Sequence, residues 1–207
     1  MITIENSRTG LPVLKKDDRF LASSIDPLRE AQAWAAKVLT GIDPQESLIV
    51  LGLGSGYHVS LLKELSPRSE VIVIENDPEV IAQVLSILPQ LHDLAIIRVP
   101  DWTKLNENRT FCDAVGGLYR VAPHGPSCQI EKSYYKAVTA LLLGRDKLSF
   151  LHLVKARPEL LGLLNPTSLV EFQDDNISIK TLQKLFSPAA LTSRERRIWR
   201  VLEELIV

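Results

Sequence analysis

Along the first 144 positions, short apolar runs alternate with stretches in which apolar residues recur every three or four positions. The first pattern fits strands covered on both faces, and the second fits helices with one buried face. Ile2–Glu5, Leu11–Leu14 and Phe20–Ala22 are short extended segments separated by Thr9-Gly10 and Lys16-Asp17-Asp18, which predicts a small hairpin or meander. Asp26-Pro27 then supplies a helix cap and a first-turn proline. Leu28, Ala31, Ala35, Val38 and Leu39 make one apolar face, and Gly41 stands where that helix would stop.

The main pattern follows. Ser47–Leu51 reads as a strand, His58 to Leu65 as a helix with Val59, Leu62 and Leu65 inward, and Val71–Glu75 as a second strand. Asp77 caps a helix that begins at Pro78 and carries Ile81, Val84, Leu85 and Leu88 on one side; Pro89 limits it. Leu94–Val99 is expected as the third strand and Cys112–Leu118 as the fourth, before a turn-rich loop, Val121–Cys128, and a helix from about Glu131 to Leu143 closed by Gly144. Strand and helix alternating at this spacing imply right-handed crossovers in a mostly parallel sheet, hence a three-layer α/β, Rossmann-like fold. The expected organisation is a hairpin at 1–24, a nucleoside-binding core at 25–145 and a mainly helical segment at 146–207. In that last segment Lys147–Lys155 fits either a strand or a helix, and Thr192 with Glu195 forms a capping box for a final helix.

Composition narrows the class. The 24 Lys+Arg against 25 Asp+Glu leave a formal charge of −1, which supplies no broad footprint for nucleic acid or an anionic membrane. Two cysteines, Cys112 and Cys128, make neither a disulfide framework nor a zinc ligand set. No apolar run approaches the roughly 20 residues that span a bilayer, and Met1–Asn6 lacks a signal-peptide pattern, so a cytoplasmic location is expected.

Candidate chemistry centres on Gly52, Gly54 and Gly56, which open directly from the first main strand into a helix start. Glycines at such a bend let a ligand approach the main chain, and the helix behind them aims free N–H groups at the loop. Glu75 lies 19 residues after Gly56, at the end of the next strand, where an acidic residue bonds ribose hydroxyls in nucleoside sites. Asp101 follows the third strand and has the acceptor-only chemistry to take a purine amine, with Trp102 available to stack on the base. The alternatives are structural: Glu75 capping a strand end, Asp101 capping the next turn, Trp102 anchoring it. His124 and Tyr119, with Ser127 behind them, are the candidates for an acceptor side, where His124 has the intrinsic pKa of a general base. His58 fits either a contact to an anionic group or a backbone hydrogen bond at the helix start. Among Arg194, Arg196, Arg197 and Arg200, glutamates at 195, 203 and 204 suggest a solvated helix face; a docking or homodimer helix is the sharper alternative.

Gly52-Leu-Gly-Ser-Gly56, followed by Val-Ile-Glu-Asn-Asp77 and Val-Pro-Asp101, resembles the cofactor half of class I S-adenosylmethionine-dependent methyltransferases. That resemblance implies a methyltransferase-like fold and S-adenosylmethionine as the cofactor, held by Gly52, Gly54, Gly56, Glu75 and Asp101. The Glu-Asn-Asp-Pro-Glu-Val run is also similar to that of spermidine synthases. Val50 replaces the acidic residue that many class I methyltransferases carry two positions before the first glycine. Gly116–Ala122 replaces the acidic set that aminopropyl transfer requires. A longer resemblance covers about residues 3–143: Gly10–Lys15, Ser24–Ala31, Gly52–His58, Pro126-Ser127 and Tyr134-Tyr135 look, in that order, like the amino-terminal domain of motility accessory factors. Those proteins are implied in flagellin glycosylation, and their larger glycosyltransferase-like domain has no counterpart in this match. The sequence therefore supports methyl transfer to an unidentified acceptor as the leading expectation. A non-catalytic Rossmann-like module that acts through a protein partner is the alternative, and aminopropyl transfer a remote third.

Overall fold

A computed structural model describes residues 1–144 together with Leu148, Ser149 and His152. The helices expected toward the C-terminus, including the Thr192 capping box and the arginine-bearing docking helix, lie outside the described residues. The chain divides into two compact units, Met1–Thr139 and Ala140–Val207, and both sheets and the glycine loop lie in the first.

The fold is α/β. Four parallel strands, β4 (Ser47–Leu51), β5 (Val71–Ile74), β6 (Ala95–Ile97) and β7 (Tyr119–Pro123), are ordered β6-β5-β4-β7. The order reverses between β4 and β7, and in open α/β sheets the crevice at that reversal is where ligands bind. On β4 and β5, Leu48, Val50, Val71 and Val73 feed one hydrophobic cluster with Ala35, Val59, Leu62, Val80 and Val84. Their neighbours Ile49, Leu51, Ile72 and Ile74 are equally buried on the opposite face, which is why these strands read as unbroken apolar runs.

Ahead of this sheet, β1 (Ile2–Asn6), β2 (Pro12–Lys16) and β3 (Arg19–Phe20) form the expected antiparallel meander. Asp17 and Asp18 make the two-residue β2–β3 loop with φ of 48° and 62°, the left-handed pair that a tight hairpin demands. Leu14 and Leu21 belong to the main core cluster, so the meander is part of the core.

Helix α1 (Pro27–Leu39) starts as expected, with the Asp26 side chain accepting the Arg29 N–H at 3.0 Å. Its buried face runs through Pro27, Ala31 and Ala35, with Trp34 and Val38 beside it; Leu28, expected inward, is 47% exposed. Helices α2 (Tyr57–Leu65), α3 (Pro78–Ile87) and α6 (Lys132–Leu143) match their expected positions within a residue.

One element is corrected. Of the residues expected as the fourth strand, Cys112–Leu118, all but Gly117 and Leu118 fall in α4 (Arg109–Gly116), and the fourth strand is Tyr119–Pro123. The Asn108 side chain accepts the Phe111 N–H at 3.0 Å, and Phe111, Ala114 and Val115 present a buried stripe at helical spacing. The turn-rich stretch after it is accordingly half strand and half helix, α5 (Gly125–Ile130), begun by His124.

Candidate functional site

The loop between β4 and α2 carries Gly52, Gly54 and Gly56 at φ of 94°, 54° and 84°. What faces them is protein. A Cβ built on Gly52 would stand 2.2 Å from the Ser127 Cβ, and one on Gly54 would stand 2.5 Å from His124 Cε1 and 2.7 Å from the Leu21 carbonyl oxygen. Gly56 packs in the same way against Val84 and Leu88. The loop is further tied to the meander: Ser55 Oγ accepts the buried Leu14 N–H at 3.0 Å, and the Tyr57 hydroxyl donates to the Pro12 carbonyl at 2.8 Å.

Glu75 lies beside the loop at the end of β5, as expected, and is 4% exposed. One carboxylate oxygen accepts the Leu53 N–H at 2.9 Å and the other accepts the Asp77 N–H at 3.0 Å. Burial pushes its pKa above the ordinary carboxylate range, while these two N–H groups pull the other way. The Tyr135 hydroxyl is buried nearby without a well-formed hydrogen bond, and its pKa is raised by burial first and by the Glu75 charge second.

Above them Lys16, at the end of β2, reaches Asp77 Oδ2 and Glu131 Oε1, both at 2.7 Å. Burial alone would lower the lysine pKa, but the two carboxylates outweigh it and raise it. A cavity of about 10 Å³ remains between Lys16, Glu75, Ser127, Glu131 and Tyr135, room for no more than a water.

Asp77 also begins α3, accepting the Glu79 and Val80 N–H groups at 2.8 and 3.4 Å. Loss of this cap and of the lysine partner predicts that Asp77→Ala costs about 1–2 kcal/mol in urea unfolding near neutral pH. Burial raises the Asp77 pKa, but Lys16 and the helix N–H groups bring it below the ordinary 3.8. Its contribution is therefore complete above that pH and fades as acid protonates the folded carboxylate.

Asp101 caps a 3₁₀ turn, Trp102–Glu107, its Oδ1 accepting the Thr103 N–H at 3.1 Å and the Thr103 hydroxyl at 2.7 Å. Tyr119 opens β7 opposite Ser47, at the far end of the sheet from the loop. The three glycines, Glu75 and His124 are thus brought together, and Tyr119 is not.

His124, nominated as a base, is 3% exposed and stacks on His58 with ring centroids 3.8 Å apart and planes 6° apart. Its Nδ1 lies 2.9 Å from Ser127 Oγ, and His58 Nε2 lies 3.2 Å from the Gly52 carbonyl oxygen. Trp34 stands nearly perpendicular to both rings, 4.9 Å from His58 and 6.5 Å from His124 between centroids, and its Nε1 donates to the Pro123 carbonyl at 3.1 Å. Burial lowers the His58 pKa to about 4 and, with the neighbouring His58, drives that of His124 well below its usual value.

Neither a family model nor a curated protein matches the chain. Among solved structures it is similar to the fibrillarin pre-rRNA processing protein of Methanococcus jannaschii, at 15% identity and a TM-score of 0.34, over 70% of this chain and 87% of that one. Likeness at this level transfers no function. Among the described residues no helix is long and apolar enough to cross a membrane, and no His, Cys, Asp and Glu cluster could hold a metal ion.

A nucleoside cofactor needs a cleft of several hundred Å³. Among the described residues the lining of the loop leaves no such cleft, because Ser127 and His124 occupy the faces that the glycines leave bare and both Glu75 oxygens are engaged by backbone. Two of the residues that make this arrangement were not among the candidates for the site. Lys16 looks like an ordinary hairpin lysine and Tyr135 like a core tyrosine; the chain distance from Lys16 to Glu131 hides their pairing.

Proposed function

We propose that this chain is a non-catalytic Rossmann-like binding module whose glycine loop is an internal packing site. The observation that carries the reading is the seating of Ser127 on Gly52 at the reversal point of the sheet, where a ligand would otherwise approach the main chain. Such a module acts by association, and the resemblance to motility accessory factors points to a glycosylation or surface-assembly protein as its partner. Isothermal titration with S-adenosylmethionine and S-adenosylhomocysteine near neutral pH is expected to give no heat from folded protein. One-to-one binding of either ligand would overturn the reading.

The second reading, S-adenosylmethionine-dependent methyl transfer, is supported by two atoms. Asn76 Oδ1 is buried beside Glu75 without a hydrogen bond and the Tyr135 hydroxyl without a well-formed one, and buried polar groups normally have partners. A ribose would supply them once the His124–Ile130 segment moved aside. In that case Gly52, Gly54, Gly56, Glu75 and Asp101 hold the cofactor. Glu75→Ala would then weaken binding by roughly 1.5–3 kcal/mol, the scale of a hydrogen bond to a charged group.

A further inference from the structure

The imidazoles of His58 and His124 join three parts of the molecule, α1, the glycine loop with α2, and α5. His58 stands at the start of α2 and reaches back to the Gly52 carbonyl, which fixes its Nε2 as the donor nitrogen in the neutral ring. His124 begins α5, bonds Ser127 of the same segment and lies against Gly54. Trp34 on α1 closes the edge of the pair. The stack therefore holds Ser127 on Gly52.

We infer that the stacked His58–His124 pair is an acid-operated latch: protonation of either ring releases the His124–Ile130 segment and bares Gly52 and Gly54. The inference rests on the reading that the loop is covered by the chain itself. A proton on either imidazole places a cation face to face with its neighbour in a buried site, where the hydrogen-bond partners of the rings are the Gly52 carbonyl and Ser127 Oγ and not a carboxylate. From α1 comes the uncharged Trp34, and Glu30, one turn earlier, accepts the Ser23 N–H. From the loop comes the Gly52 carbonyl, and from the meander the Leu21 carbonyl. From α5 come Ser127 and then Cys128, whose thiol burial and the Glu75 charge push up to about 11, so it stays neutral. Glu75, at the end of β5, has its two oxygens taken up by the Leu53 and Asp77 N–H groups.

The sign follows from the buried state. Both rings take up a proton less readily folded than unfolded, so the latch is closed above the ordinary histidine value of 6.5 and loosens as pH falls from there toward about 4.

Hydrogen exchange of the full chain at about pH 7.5 and about pH 5, each normalised to the intrinsic rate, tests this directly. The expected result is a loss of protection of about tenfold or more at the lower pH in residues 52–58 and 124–130, with 47–51 and 71–74 unchanged. The double variant His58→Gln/His124→Gln should abolish the pH response, since an amide does not titrate, and each single variant should reduce it. Equal protection at both pH values, simultaneous loss across the whole sheet, or a full response that survives in the double variant would each overturn the latch. Titration with S-adenosylhomocysteine near neutral pH tests the parent reading by itself, because it probes the closed state.

Discussion

Gly52→Ala is expected to destabilise the protein by about 3–5 kcal/mol, the largest effect of any single methyl group in the loop. Two costs add. At φ of 94° an L side chain strains the backbone, and the new Cβ would stand 2.2 Å from Ser127 Cβ and 2.6 Å from Ser127 Oγ. Neither element can yield easily, since the Gly52 N–H is held by the Ile74 carbonyl at 2.9 Å and Ser127 by His124. The two costs are separable by a double-mutant cycle. Ser127→Gly removes the colliding atoms but not the backbone strain, so the double variant should lose at least about 1 kcal/mol less than the sum of the singles. Additivity within error in urea unfolding would show that Ser127 does not sit on the loop. That result would reopen the cleft to a cofactor.

The second large effect lies at the other end of the sheet. Arg120, on β7, spends its guanidinium on the end of α1: Nη1 donates to the Val38 and Thr40 carbonyls at 2.8 and 2.7 Å, Nη2 to the Gly41 carbonyl at 2.9 Å, and Nε to Glu46 at 3.0 Å. One planar donor fork thus satisfies carbonyls that the helix leaves without partners and pairs a carboxylate that is 5% exposed. Arg120→Ala is expected to cost about 3 kcal/mol, the low end for breaking a buried ion pair because the arginine itself is partly solvated. Arg120→Lys should recover less than half of that loss, since a point-like ammonium cannot cover four acceptors in a plane. Equilibrium urea unfolding of the three proteins checks both statements, and a lysine variant as stable as wild type would refute the fork.

Most of the architecture was legible because it rests on local rules. Asp26-Pro27 and Asp77-Pro78 start helices through side-chain caps that need no distant partner, and β4 and β5 are apolar throughout because both faces are covered. Two readings failed for reasons of phase. Leu28 sits one position off the stripe set by Pro27, Ala31 and Ala35, and Cys112–Leu118 is apolar enough for a strand but is capped by Asn108 into a helix. A short apolar run does not by itself distinguish the two.

The glycine loop shows where sequence stops. Residue types and spacing determined that a strand, a glycine bend and a helix would be followed by a carboxylate at the end of the next strand, because each of these is a local or nearest-neighbour requirement. Whether the bend faces a ligand or the chain was decided by residues far away in sequence. Lys16, Leu21, His124, Ser127 and Tyr135 converge on it only when β2 is laid over the loop and β7 is placed beside β4. Space is a property of all the elements that meet at a point, and no periodicity or spacing within one of them encodes it.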